Sequence, residues 1–296
     1  MHYRTDLAME RTVHPGGMGE GVSVQTQRDG EAEITWVHIH TETAAKRLGK
    51  PMGTYWTMQH PSLPYLSPEE RIDVARNVAQ TLRLMLPPKG DVLVLGLGNR
   101  RMTADALGDR VVSGILVTRH MKDAHDSLRG VCAMSPGVLG VTGVETAELA
   151  LGLTARIQPS AVLVVDALAA METSHIATTI QLTDTGIHPG SGVGNHRMGI
   201  TEETMHVPVI ALGIPMVVYA STIVRDALRG ILSAESDAEA ADAMAEHLAG
   251  QADGEMVVTP RNIDELVAGL ADTLALAVNS ALQPAYSIDE LTHYLH

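Results

Sequence analysis

Three apolar runs decide what this chain can become. They are "DVLVLGLGN" from Asp91, "SAVLVVDALAA" from Ser160 and "VPVIALGIP" from Val207. Each is nearly continuous in Val, Leu and Ile rather than alternating, as strands are when helices cover both sheet faces. Between them lie helical patterns, and strands alternating with helices give an α/β fold with a largely parallel sheet. The shorter runs "GILVTRH" from Gly114 and "GVCAM" from Gly130 are further strand candidates. "EITWVHIHTE" from Glu33 alternates with period two, with Ile34, Trp36 and His38 on one face and Val37 and Ile39 on the other.

Helix boundaries are also legible. Ser67, Pro68 and Glu70 form a capping box with proline in the first turn, ahead of a stripe of Ile72, Ala75, Ala79, Leu82 and Leu86. "TGVETAELALGLTARI" predicts a helix capped by Thr142 and Glu145, and "STIVRDALRGIL" predicts another after the third strand. Residues 233–255 are Ala-rich and acidic and read as an exposed helix or insertion. With no Phe, the core must come from aliphatic residues and Met. No repeat or low-complexity tract divides the chain, and residues 1–296 read as a single domain.

The formal charge of −14 disfavours direct binding to a nucleic-acid backbone, whose affinity comes mainly from Lys and Arg. A lone Cys132 permits no internal disulfide and points to a reducing compartment. The N-terminal residues carry no apolar signal segment, and Val207–Ala220 is too short to span a bilayer. The expectation is a soluble, cytoplasmic protein without membrane contact.

Two familiar phosphate sites fail their tests. Gly96 and Gly98 begin a dinucleotide fingerprint, but Arg101 stands at the third glycine, and "GILVTRH" ends without the ribose-binding acid. No Walker lysine motif is present. Asp105 in "MTADALG" and Asp166 in "VVDALAA" are better candidates. Both are placed beyond the carboxyl ends of apolar strands, where open parallel sheets collect functional groups. Taken singly, each is simply read as a helix-terminal or salt-bridged carboxylate. Taken together, two neighbouring acids cannot both stay ionised. One holds a proton while the other accepts one from water, which is the chemistry of cofactor-free hydrolysis. The same pair with His188, His120 or His175 could instead hold a divalent metal, although no histidine pair has ligand spacing.

"DTGIHPGSGVGNHR" from Asp184 supplies Asp184, Gly186, His188, Gly190, Ser191, Gly192, Gly194 and Asn195 as candidate cleft residues. Its glycines could turn N–H groups toward a developing oxyanion or let a substrate backbone approach; the plainer alternative is a tight connection.

The stretches "RTDLAME", "GKPMGTY", "GLGNRRMTADALG", "VTRH", "SPGVLGVTGVET", "VVDALAA", "TIQLTDTGIHPGSGVGNHR" and "VPVIALGIPMVV" resemble the germination protease family of spore-forming bacteria over nearly the whole chain. The resemblance implies an atypical aspartic endopeptidase, with Asp105 and Asp166 catalytic, that degrades small acid-soluble spore proteins during germination. It implies a three-layer α/β/α, phosphorylase/hydrolase-like fold with N-terminal β elements, similar to the hydrogenase maturation peptidases. It also implies a zymogen losing residues 1–6 by self-cleavage at Asp6–Leu7, a homotetramer, residence in the forespore or spore core, and no required cofactor, while the kinship with the maturation peptidases keeps a divalent-metal role open. Tyr219 stands where the family pattern leads one to expect an aspartate. The alternatives are a metal-dependent maturation peptidase and a non-catalytic anion- or nucleotide-binding protein.

Overall fold

The computed structural model describes residues 5–13, 18–121, 128–188, 198–232, 247 and 256–292. After a short helix α1 (Ala8–Val13), β1 (Val22–Asp29) and β2 (Ala32–Ile39) form an antiparallel pair. Helix α2 (Glu42–Leu48) leads to β3 (Gly53–Gln59), and α3 (Pro68–Met85) to β4 (Val92–Gly96). Then come α4 (Leu107–Ser113), β5 (Val131–Met134), α5 (Leu139–Thr142), α6 (Thr146–Ile157) and β6 (Ala161–Ala170). The chain continues through β7 (Thr179–Thr183), α7 (Glu202–Met205), β8 (Val209–Tyr219), α8 (Ala220–Leu232), β9 (Val257–Val258), α9 (Ile263–Leu282) and α10 (Ile288–Thr292).

One sheet in the order β1-β2-β3-β7-β8-β6-β4-β5 runs through the molecule, with β9 pairing to β8. The parallel portion is β5-β4-β6-β8, built from the apolar runs. The N-terminal β elements join the same sheet through β7 in antiparallel pairings, so the sheet as a whole is mixed. The α/β class and its central sheet follow from the sequence; this antiparallel wing adds to them.

Helices lie on both faces. Leu163 and Val165 of β6, with Leu182, Ile210 and Leu212, pack against α3, α4 and α9. Val162 and Val164 face the other way, toward Ala147 and Ala150 of α6 and Met205 of α7. Helix α9 is long and apolar enough to cross a membrane, yet it is mostly buried between its neighbours as a core helix.

The capping box at Ser67 and Glu70 forms as the sequence predicts. Three local expectations are corrected. "GILVTRH" makes no strand, because Asn279 of α9 satisfies its backbone: Leu116 N donates to Asn279 Oδ1 (2.8 Å), and Asn279 Nδ2 donates to Gly114 O (2.8 Å). A side chain has replaced the ladder that a strand would need. Thr142 does not cap α6. It ends α5, where Gly143 turns left-handed (φ 74°), and Glu145 caps α6 with Glu148 completing the box. Finally, β6 does not stop at Asp166 but runs on to Ala170 beside β8. The predicted helix or insertion at 233–255 lies outside the described residues except for His247.

Candidate active site

Asp166 gains its position from unequal strand lengths. β4 ends at Gly96, opposite Val165, so Asp166 is the first β6 residue without a β4 neighbour, while β8 continues alongside with Gly213 in register. Alternation along β6 puts Val165 in the core against α4 and α9, and turns Asp166 to the opposite face with Leu168.

Asp105 reaches the same edge from β4. A short 3-10 turn, Thr103–Asp105, precedes α4, and Asn99 N donates to Asp105 Oδ2 (2.8 Å). The turn closes only because residue 98 is glycine: at φ 102° a Cβ there would collide with the Asp105 carbonyl oxygen. The glycine that fails as a dinucleotide fingerprint therefore serves to fold the chain around an acid.

The two carboxyl groups are electrostatically coupled. Burial raises the Asp105 pKa above its ordinary value, against the pull of the Asn99 hydrogen bond. Asp166 is pushed well above the usual carboxylate range, by burial first, then by the charge of Asp105, then by that of Asp6. A backbone N–H from Ala167 to Oδ1 (2.9 Å) opposes this only in part. Burial and the neighbouring charges of Asp105 and Asp6 thus both favour the protonated form of Asp166.

The third acid of that group, Asp6, belongs to a docked N-terminal segment. Asp6 N donates to Ala169 O (2.9 Å), and Ala169 N donates to Asp6 Oδ2 (2.8 Å). Leu7 is fully buried among Leu168, Ala170 and Val218. Gln181 of β7 spans the Asp6–Leu7 linkage, its Nε2 donating to Asp6 O (2.9 Å) and its Oε1 accepting from Ala8 N (2.8 Å). Lys50 Nζ donates to Thr5 O (2.8 Å), and burial lowers the Lys50 pKa against the opposing charge of Asp6.

Four residues farther on, Glu10 is 2% exposed and still richly partnered. It accepts from Met171 N (2.8 Å), Glu172 N (3.0 Å), His175 Nδ1 (2.6 Å) and the Thr5 hydroxyl. Burial alone would lower the His175 pKa; the hydrogen bond and charge of Glu10, helped by Glu172, outweigh it and the pKa rises.

A cavity of about 430 Å³ adjoins this segment, lined in part by Asp6, Lys50, Leu168, Gln181, Gly186 and His188. Of the predicted cleft loop, Gly186 and His188 thus reach the cavity. Asp184 turns back to the sheet, its Oδ1 accepting from Thr54 N (2.8 Å). Gly190, Ser191, Gly192, Gly194 and Asn195 lie outside the described residues.

His175 is committed to Glu10, and His120 is exposed on the 3-10 turn Arg119–Met121. Among the described residues no group of three or more His, Cys, Asp and Glu is placed to hold a metal ion.

Gln181, Lys50 and Glu10 were not singled out in the sequence, although all three fall within stretches carrying the family resemblance. Only contact with the segment gives them meaning. Tyr219 is buried at the end of β8, opposite Val257, away from the acid pair in the register.

Residues 6–237 match the peptidase A25 family model described as germination protease. A germination protease from Caldanaerobacter subterraneus subsp. tengcongensis is 40% identical over 99% of this chain and 98% of its own. One from Clostridium tetani is 34% identical over 100% of both chains. One from Priestia megaterium is 38% identical over 77% of this chain and 64% of its own. Among solved structures, the [NiFe] hydrogenase maturation protease HycI from Thermococcus kodakarensis is similar over 57% of this chain and 97% of its own, at 18% identity and a TM-score of 0.33. This chain is therefore an endopeptidase that belongs to the germination protease family.

Proposed function

We propose that this endopeptidase hydrolyses small acid-soluble spore proteins with Asp105 and Asp166 as its catalytic pair. The observation that carries the reading is the placement of both acids at the edge where β4 stops, Asp105 in the turn that follows β4 and Asp166 at the first β6 position beyond it, with the charge of Asp105 favouring the protonated form of Asp166. The ionised member takes a proton from water as the water oxygen adds to the substrate carbonyl carbon. The protonated member donates to the carbonyl oxygen, and collapse of the adduct delivers a proton to the leaving nitrogen. One water is consumed, and an acid and an amine are formed. This scheme uses no cofactor.

The Asp6–Leu7 linkage is our candidate for self-cleavage, because Asp6 acts electrostatically on Asp166 while Gln181 grips both sides of the linkage. Residues 1–6 would then be the segment removed from a zymogen. The remaining cleft contacts come from Gly186 and His188 beside the cavity. Action in the spore core as a homotetramer is part of the same reading and rests on the family.

The test is cleavage of a purified small acid-soluble spore protein by the wild type, Asp105→Asn and Asp166→Asn, each checked for folding by circular dichroism. Both variants should lose at least ~10³-fold in kcat, the scale seen when members of a catalytic unit are removed. Full activity in either one ends the proposal. Activity that disappears in chelator and returns with a divalent metal would transfer the function to the metal-dependent alternative.

A further inference from the structure

We infer that Gln181 is a catalytic residue, the side-chain donor that stabilises the oxyanion formed at the split carbonyl. The inference rests on the proposed peptidase site and adds a group to it.

Three residues lie in one row across adjacent strands: Gln181 pairs with Gly213, and Gly213 with Asp166. Residues directly opposite share a sheet face. The next row agrees, because Leu182, Leu212 and Val165 all sit in the core on the other side. Strand spacing puts the Gln181 and Asp166 backbones about 10 Å apart. That gap suits a peptide group gripped from one side by a long amide and approached from the other by a short acid. The middle position must stay open. A Cβ on Gly213 would stand 2.6 Å from Leu168 Cγ and 2.7 Å from Asp166 O.

The amide orientation follows from its partners. Asp6 O can only accept and Ala8 N can only donate, so Nε2 faces the carbonyl (2.9 Å) and Oε1 faces the N–H (2.8 Å). Asp6 O is the oxygen of the Asp6–Leu7 peptide group itself. When water adds to that carbon, the C=O electron pair moves onto this oxygen, where the Gln181 N–H already points. The donor is buried, 5% exposed, and fixed by the sheet, so it needs little reorganisation during the reaction. Its acceptor end holds the chain two residues on and sets the register.

The experiment follows self-cleavage of the full chain by mass spectrometry, with kcat and KM on a peptide of residues 1–14 as a second readout. Gln181→Leu should slow the first-order step by about 10²–10³-fold, the cost of one oxyanion donor, and lower kcat far more than it raises KM. Gln181→Glu lacks the donor when ionised and regains it when protonated, so its rate relative to wild type should recover as pH falls. A third change leaves Gln181 intact in case the others fail to fold. Ala8→Pro removes the N–H that Oε1 accepts, at a first helical position where proline is tolerated, and should slow self-cleavage by about 10-fold.

Cleavage within threefold of wild type in Gln181→Leu, or equal loss in the Leu and Glu variants at every pH, overturns the inference. So does a wild type that cuts its substrate protein but leaves the peptide's Asp6–Leu7 linkage whole, an outcome that spares the acid pair. A wild type that cuts nothing removes both.

Discussion

Replacing Glu10 probes the docked segment most sharply. Its carboxylate accepts from Met171 N, Glu172 N and His175 while being 2% exposed. Glu10→Ala leaves the buried Met171 N–H, the part-buried Glu172 N–H, His175 and the Thr5 hydroxyl without their acceptor. Removing one partner of a buried pair costs about 3–5 kcal/mol, and each abandoned donor about 1–3 kcal/mol when judged alone. These terms overlap, so the docked state should lose about 3–5 kcal/mol, which is roughly 10²–10⁴-fold in the opening equilibrium. Glu10→Gln keeps one acceptor oxygen and should lose less, about 1.5–3 kcal/mol, the worth of a hydrogen bond to a charged group.

The loss is local if the segment leaves without global unfolding, so hydrogen exchange at individual amides is the right assay. The amides of Leu7, Ala8, Met171 and Glu172 should exchange faster by those factors, while β4 amides keep their protection. Acceleration below threefold at Met171 and Glu172 in Glu10→Ala would refute the reasoning.

The same pair gives a pH dependence. The folded-state pKa of His175 is raised above its ordinary value, so its stabilising share is complete below that value and is lost as pH rises through the raised one. Segment protection should therefore weaken with rising pH in wild type and change little in His175→Gln. Leu7→Ala empties a fully buried aliphatic site and should cost about 2–5 kcal/mol of docking free energy, read by the same exchange experiment. Gly98→Ala forces a collision with the Asp105 carbonyl at φ 102°. It should lower kcat more than 10-fold with a modest loss of melting temperature; unchanged kcat would show that the turn does not set the acid.

The parallel half of the sheet could be read in advance because burial on both faces writes itself as continuous apolar runs. β4, β6 and β8 carry those runs, and α3 carries its own capping box. The errors have physical causes. Asn279, far along the chain, takes the backbone groups of Gly114 and Leu116 that a strand there would have paired. Nothing local in "VVDALAA" shows that β8 will accompany β6 past Asp166. Asp105 and Asp166 were accessible as acids following apolar strands, whereas Gln181 looks like an ordinary polar residue in "TIQLT". Its importance arises from two hydrogen bonds to a segment more than a hundred residues earlier, and periodicity carries no trace of such pairing.

The most direct test of the acid pair is a carboxyl titration by carbon-13 NMR, in wild type and in Asp105→Asn. Asp166 should titrate well above the ordinary carboxylate range in the wild type, and its pKa should fall once the neighbouring charge is gone. Two independent titrations in the ordinary range, with Asp166 indifferent to the substitution, would contradict a shared proton and the hydrolytic mechanism built on it.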